Sequence, residues 1–411
     1  MTTPAPRIHY AWIVAATGTL CVFAGLGLGR FALGMLLPSM AASLGFSYVQ
    51  LGWVGTGNFV GYLAAVLVCG PLSARLGPRR LVALALVLMA ATMILIGRAH
   101  EFAPILILYT LTGFGSGAVN VPVMGLVARW FATSIRGRAA GFVVIGSGFA
   151  IILSGWLIPF VNQRAGAEGW RTSWLVLALV ILGVAAVAVA LLRNRPEEVG
   201  LGVLGRAAEA GGAHAAPRPA TPHFSSYRNH AVWLLGAVYF LFGFTYVIYV
   251  TFIVTSLVKE HGFSESIAGG FWQAIGFLSL FSGPIFGTLS DRIGRRAGLA
   301  IVFAIQATAY VLVAAPLPVG ALYLSVACFG VVAWSIPSIM LAAVSDQVGP
   351  EHALSAFGFI TFVFGLGQIA GPAVAGALAE RTGSFHASFG MAAAFAGLAV
   401  ALTSRLRKPA G

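Results

Sequence analysis

Twelve apolar runs, each of roughly 20 residues and separated by short polar stretches, are the first constraint on this chain. They lie at about 11–37, 48–70, 81–97, 103–127, 139–161, 172–192, 231–255, 266–287, 297–314, 318–343, 353–378 and 386–404. At 1.5 Å of rise per residue, a helix of about 20 apolar residues crosses the hydrocarbon core of a bilayer. Helices also satisfy their own backbone groups where no water is present. The pattern therefore predicts an all-α, polytopic membrane protein with twelve transmembrane helices. Composition supports this: 59% of the 411 residues are apolar and 9% are charged, against ~25% charged in soluble domains. Soluble enzymes, secreted scaffolds and nucleic-acid binders are excluded, so the net charge of +13 points to no nucleic-acid partner.

The position of the charge along the chain says more than its sum. With the N-terminus inside, Arg7, Arg75, Arg79, Arg80, Arg129, Arg136, Arg138, Arg193, Arg195, Arg206, Arg218, Arg228, Arg292, Arg295, Arg296, Arg405, Arg407 and Lys408 share one side. Only Arg98, Arg164, Arg171, Lys259 and Arg381 fall on the other. Cytoplasmic loops collect Lys and Arg, so both termini are expected in the cytoplasm of a bacterial-type plasma (inner) membrane. Between runs six and seven, residues 194–230 are rich in Ala, Gly, Pro and Arg and have no apolar period. This reads as a flexible cytoplasmic linker between two six-helix bundles, 1–193 and 231–411. Cys21, Cys69 and Cys328 are far apart and lie in apolar runs, which indicates neither a disulfide framework nor a metal site.

The two halves repeat. Gly70, Arg75, Gly77, Arg79 and Arg80 follow run two; Gly287, Asp291, Arg292, Gly294, Arg295 and Arg296 follow run eight, with Gly70 and Gly287 217 residues apart. Phe114-Gly115 and Asn120-Val-Pro122 in run four recur as Phe329-Gly330 and Ser335-Ile-Pro337 in run ten. Parallel repeats of this kind suggest an alternating-access transporter.

These loops resemble the Gly-x-x-x-Asp-Arg-x-Gly-Arg-Arg motif of the major facilitator superfamily, and the resemblance spans essentially the whole chain. It implies a gating role for the loop residues, which latch the cytoplasmic ends of the two halves. The second copy is intact; the first has Ala74 where the family carries Asp. Narrower features are similar to the monocarboxylate and oxalate/formate branch: Tyr10-Ala-Trp-Ile-Val, Gly113-x-Gly115-x-Gly117, Trp130-Phe131 and Pro196-Glu-Glu-Val-Gly200. The chain departs from that branch in having no Arg in run eight and no Lys in run eleven. Gly29-Arg30-Phe31 followed by Leu37-Pro38 resembles a poorly characterised bacterial subgroup, which implies no particular substrate.

Arg30 is the one cation inside a run. A guanidinium in hydrocarbon costs at least ~2.5–3.5 kcal/mol, so it faces a cavity or a partner, or snorkels to the headgroups. Facing a cavity, its planar fork would suit a carboxylate. Neutral polar and aromatic candidates for the same cavity are Asn58 and Tyr62, four residues apart, Asn120 before Pro122, the stripe Tyr239, Tyr246 and Tyr249, and Gln273, Trp334 and Gln368. For each of these a packing role is the competing reading. No Asp, Glu or His sits in the middle of a run. Catalytic residues, a metal centre and cofactors are therefore not expected, and cationic substrates are disfavoured.

The function expected is secondary active transport of a small organic anion, with a monocarboxylate first. Coupling would be by proton symport or anion exchange, in a protein working as a monomer within the lipid bilayer. The alternative is efflux of a neutral or amphipathic small molecule, with Arg30 structural.

Overall fold

The computed structural model describes residues 9–205 and 230–406, and twelve long helices account for most of them. In chain order these are α1 Tyr10–Leu44, α2 Tyr48–Leu76, α3 Pro78–Ile96, α4 Phe102–Trp130, α5 Thr133–Ala165 and α6 Gly169–Leu191. After the connection come α7 His230–Lys259, α8 Glu265–Ile293 and α9 Arg295–Ala314. α10 spans Gly320–Val348, followed by α11 Pro350–Thr382 and α12 His386–Thr403. Ten helical stretches among the described residues are long and apolar enough to cross a membrane. One of them, Thr133–Leu191, is α5 and α6 joined by a single tight turn at Gly166–Glu168. The twelfth helix, α8, has the length but is more polar, carrying Glu265, Gln273, Asp291 and Arg292. Large apolar side chains such as Leu67 (65% exposed) and Ile107 (61%) point out of the protein, as a lipid-facing surface requires. The protein is an all-α polytopic membrane protein.

The repeat seen in the sequence is reproduced in the helices. α2 and α8 are both 29 residues long and start 217 positions apart; α5 and α11 are both 33 residues long, at the same offset. Gly77 (φ 78°, ψ 147°) and Gly294 (φ 91°, ψ 149°) separate the second and third helix of each repeat. That backbone conformation is essentially open to glycine alone, so the motif's glycine is what stops one helix and starts the next.

Two helices are irregular where the repeat carries its polar residues. In α1, Phe23–Phe31 is wound as a π-helix around Gly25, Gly27 and Gly29 and ends on Arg30 and Phe31. α10 is broken into Gly320–Val332 and Ser335–Val348, with Trp334 at the break. Pro337, with no N–H to give to residue 333, sits just beyond it. α4 runs unbroken through Pro122.

The chain packs as two compact units whose division runs across helices. Unit 1 comprises 1–32, 60–150 and 171–216; unit 2 comprises 33–59, 151–170 and 217–411. In unit 2, α7 is buried on every side from Leu241 to Leu257. In unit 1, residues 194–205 are held rather than flexible, against expectation. Leu204 pairs with the α4–α5 junction, its N–H donating to the Trp130 carbonyl (3.0 Å) and its carbonyl accepting from Ala132 (2.9 Å). Pro196 is buried. Exposed backbone at a helix junction accepts a strand-like partner, a tendency that composition does not carry. The rest of the expected linker, 206–229, lies outside the described residues, as do Arg7, Arg407 and Lys408.

Candidate functional site

In unit 1 the π-helical turn presents Arg30 to the protein interior. The residue is 8% exposed, and its guanidinium carbon lies 4.1 Å from the centre of the Tyr62 ring. This is a face-on cation–π contact, so Arg30 is enclosed by protein and does not reach for headgroups. Tyr62 is fixed in turn: its hydroxyl accepts from Asn120 Nδ2 at 2.9 Å. The Arg30 carbonyl accepts from the Tyr109 hydroxyl at 3.0 Å. Glycines allow these helices to meet. A Cβ on Gly61 would run into the Thr110 carbonyl, and one on Gly117 would lie 2.8 Å from the Tyr62 carbonyl oxygen. Tyr62 and Asn120 are half-buried, and Asn120 Oδ1 has no hydrogen-bond partner among the described residues. Stacking uses the face of a guanidinium, and its N–H groups point in plane. An anion meeting that edge can receive two parallel bonds.

In unit 2 a second group forms around α7 and α11. The Phe364 ring stacks on Tyr239 at 4.4 Å, on Phe242 at 5.6 Å and on Tyr246 at 6.0 Å. Tyr246 accepts a hydrogen bond from Gln368 Nε2 and meets Trp334 edge-on at 5.9 Å. The Trp334 amide, freed by the break in α10, donates to Ser282 Oγ at 2.9 Å. The cluster thus built is aromatic, uncharged and largely buried.

Within unit 2, Tyr249 and Gln273 do not join the group around Phe364. Tyr239 and Tyr246 are two turns apart and share a face, whereas Tyr249 is rotated by about 60° at 3.6 residues per turn. Tyr249 turns instead into the core, bonded to Ser325 Oγ at 2.8 Å and stacked on Phe329 at 4.1 Å. Gln273 bonds its own helix at Gly269 and lies beside Gly155 of α5. Asn58 is 1% exposed and falls in unit 2, one helical turn before Tyr62 on α2. Sequence reasoning missed Tyr109, Phe242, Phe364 and the π-helical turn. Three glycines at alternate positions before Arg30 were the available signal for the turn, and the four-residue spacing of Phe364 and Gln368 for the aromatic group.

The loop motifs differ between the copies. Arg295 pairs with Asp291 and with Asp346 (3.1 Å) and bonds Ser290 Oγ (2.9 Å). In the first copy Ala74 and Pro78 stand where Asp291 and Arg295 do, so both partners of that ion pair are missing together. Arg79 instead caps the end of α6 through the Val189 carbonyl (3.0 Å), and its amide donates to Asn194 Oδ1 (2.9 Å). Cations favour helix C-termini for this reason. Arg75, Arg80, Arg292 and Arg296 are exposed. Among the described residues no group of three or more His, Cys, Asp or Glu could hold a metal ion.

Comparison with known proteins agrees with this architecture. The chain is 26% identical to the hexuronate transporter of Bacillus subtilis, over 93% of each chain. It is 25% identical to the probable sulfoacetate transporter SauU of Cupriavidus necator, over 93% of this chain and 90% of that one. Monocarboxylate transporter 2 of Mesocricetus auratus is 27% identical over 82% and 71%. Among solved structures, a bacterial homologue of the lysosomal transporter Spinster superposes with a TM-score of 0.76 at 14% identity, covering 97% of both chains. The nucleoside transporter NupG gives 0.74 at 16%, covering 97% and 100%. The model of the family described as "uncharacterised MFS-type transporter YbfB" matches residues 22–404. The chain therefore belongs to this MFS-type transporter family within the major facilitator superfamily, and its family and fold are those of transporters.

Proposed function

We propose that the protein is a secondary active transporter of a small organic anion, a monocarboxylate, with Arg30 as its counter-ion. The observation that carries this reading is the buried guanidinium stacked on Tyr62. The Tyr109 hydroxyl donates to the Arg30 carbonyl, and Asn120 donates to the hydroxyl of the Tyr62 ring beneath the guanidinium. Three of the relatives are named for hexuronate, sulfoacetate and monocarboxylates, all acidic compounds. Tyr62 and Asn120 are proposed to share the anion site. Tyr239, Tyr246, Trp334 and Gln368 are proposed to contact an apolar portion of the substrate. Coupling would be electroneutral, by proton symport or by exchange, because an uncoupled monoanion would work against about 2.3 kcal/mol per 100 mV. The Arg295–Asp291–Asp346 group would act in gating. The protein would work as a monomer, without a cofactor.

Reconstitution in liposomes with membrane potential and pH gradient imposed separately tests this. Uptake of a small carboxylate driven by the pH gradient alone supports symport, and dependence on internal anion supports exchange. A strong response to potential at constant pH overturns both. A second reading, efflux of a neutral or amphipathic compound, is favoured by the uncharged aromatic cluster of unit 2. It predicts transport that Arg30→Gln leaves unchanged. Cytoplasmic termini in a bacterial-type inner membrane are part of the proposal. Labelling from outside intact cells of a cysteine placed at Gly202, which has open space around it, would refute that orientation.

A further inference from the structure

In unit 1 the three glycines of the π-helical turn each meet a different helix. A Cβ on Gly25 would lie 2.9 Å from Val119 Cγ1 of α4, one on Gly27 would run into Ala150 Cβ of α5, and one on Gly29 would run into Met89 Cε of α3. The third contact is the one beside Arg30. Met89 is fully buried, and its side chain threads a notch between two glycines. A Cβ on Gly115 of α4 would run into Met89 Cγ and lie 3.2 Å from its Sδ. An unbranched thioether suits so narrow a gap, and a β-branched side chain does not. The walls of the notch are tied together. The Met89 carbonyl accepts from Thr92 Oγ1 at 2.9 Å, and the hydroxyls of Thr92 and Thr112 lie 2.8 Å apart, joining α3 to α4. Tyr109, a turn before Thr112 on α4, donates to the Arg30 carbonyl at 3.0 Å and meets Trp174 edge-on at 5.8 Å. The path from Gly29 through Met89, Thr92, Thr112 and Tyr109 thus returns to Arg30, and every side chain along it is buried.

We propose that Met89 is a positioning residue for the anion site: its terminal methyl, seated on Gly29, sets where Arg30 stands over the Tyr62 ring. The inference deepens the anion reading above and rests on it. A π-helix is rare and is mostly limited to a single turn, so the winding of Phe23–Phe31 depends on what packs against it. The Tyr109 bond fixes one atom of Arg30, its carbonyl oxygen, and leaves the turn free to pivot about that atom. Met89 Cε closes the pivot on the α3 side. A guanidinium takes a carboxylate edge-on through two parallel bonds, so a small pivot of the turn misaligns both at once. Met89 acts through Gly29 and not on the anion. The repeat supports the pairing of notch and guanidinium. At its offset of 217 residues the second copy has Tyr246, Val247 and Gln306 where the first has Gly29, Arg30 and Met89. The notch and the cation occur together in one copy and are absent together from the other.

The test is a mutant cycle on the full-length protein in nanodiscs, read by affinity for a panel of small carboxylates, by melting temperature and by structures of each variant. Met89→Leu conserves volume and loses the methyl that reaches Gly29, so the unliganded protein should melt close to the parent. Its carboxylate affinity should fall by roughly tenfold, as loss of a group that orients a binding residue does. Gly29→Ala alone drives a methyl against Met89 and should weaken binding likewise. Combined, Gly29→Ala/Met89→Leu puts the new methyl where Cε stood, and most of the affinity should return; neighbours in contact are where additivity fails. Gly29→Ala/Met89→Ala is the second such pair and should recover affinity relative to Met89→Ala. Losses that add in both pairs, an unchanged affinity in Met89→Leu, or losses that track melting temperature across the set overturn the proposal and make Met89 a packing residue. The structures separate this from the substrate reading. Arg30 leaving its 4.1 Å stack on Tyr62 in Met89→Leu and returning in the pair, in a protein that binds no small carboxylate, sinks the anion assignment alone. Carboxylate binding in the parent, with Arg30 and affinity unmoved across the cycle, sinks the positioning role alone.

Discussion

Replacing Arg30 by Gln removes the charge of the proposed anion site while keeping a shorter, polar side chain. Arg30 is 8% exposed as a residue and its guanidinium carbon lies 4.1 Å from the Tyr62 ring centre, so its bond to an anion would form in a partly desolvated setting. Loss of a buried charge-assisted partner costs roughly 2–5 kcal/mol, at least about 30-fold in affinity at 1.36 kcal/mol per decade. The stacking contact is separable. Tyr62→Leu removes ~0.5–2 kcal/mol of cation–π interaction and leaves the charge in place, so its effect on affinity should be several-fold smaller. The assay is carboxylate binding to purified protein by thermal shift, across a panel of small mono- and dicarboxylates, with uptake into liposomes alongside. Arg30→Gln should abolish both the ligand-induced shift and saturable uptake while leaving the unliganded protein monodisperse. Affinity unchanged for every transported compound would refute the reasoning and make Arg30 a packing residue.

Asp291→Asn removes one of the two carboxylates on Arg295; an exposed pair contributes ~0.2–1 kcal/mol, so turnover should fall by no more than severalfold with binding affinity intact. Normal turnover and an unchanged conformational balance would contradict it. Gly376→Val puts a side chain against the Tyr48 carbonyl oxygen (2.5 Å from the Cβ) and Gly52 (3.1 Å). At ~1–3 kcal/mol for overpacking, α2 and α11 should no longer close, which cysteine accessibility along this seam would report as permanently raised. His261 is held below the usual imidazole range by burial and by neighbouring His386, opposed by Glu260. Its neutral form is therefore favoured by folding: that stability is present above about pH 6.5 and declines as pH falls through the imidazole range. Melting temperatures at pH 7.5 and 5.5 should differ less in His261→Gln than in the parent, and an equal difference would remove His261 from the account.

The membrane class, the twelve helices and the repeat were legible because each rests on a local quantity. Run length against bilayer thickness sets the helices, and a glycine with positive φ at 77 and at 294 sets the breaks within each repeat. The importance of Arg30 was also readable, since a lone cation in an apolar run is costly wherever it lies. Other features depended on which side chains meet in space. Helical phase puts Tyr249 on a different face from Tyr246, but only the neighbours α10 and α11 decide that one meets Ser325 and Phe329 and the other Gln368. Residues 194–205 read as flexible because composition counts propensity, whereas their order comes from backbone groups left open at Trp130 and Ala132. Asn162 and Glu265 are 103 residues apart, and their pairing follows from helices that approach along glycines. The sequence by itself determined how many times the chain crosses the bilayer and where its helices break. Only the tertiary structure decided which polar groups share a site, because hydrogen bonds and ring contacts act over a few ångströms between segments distant along the chain.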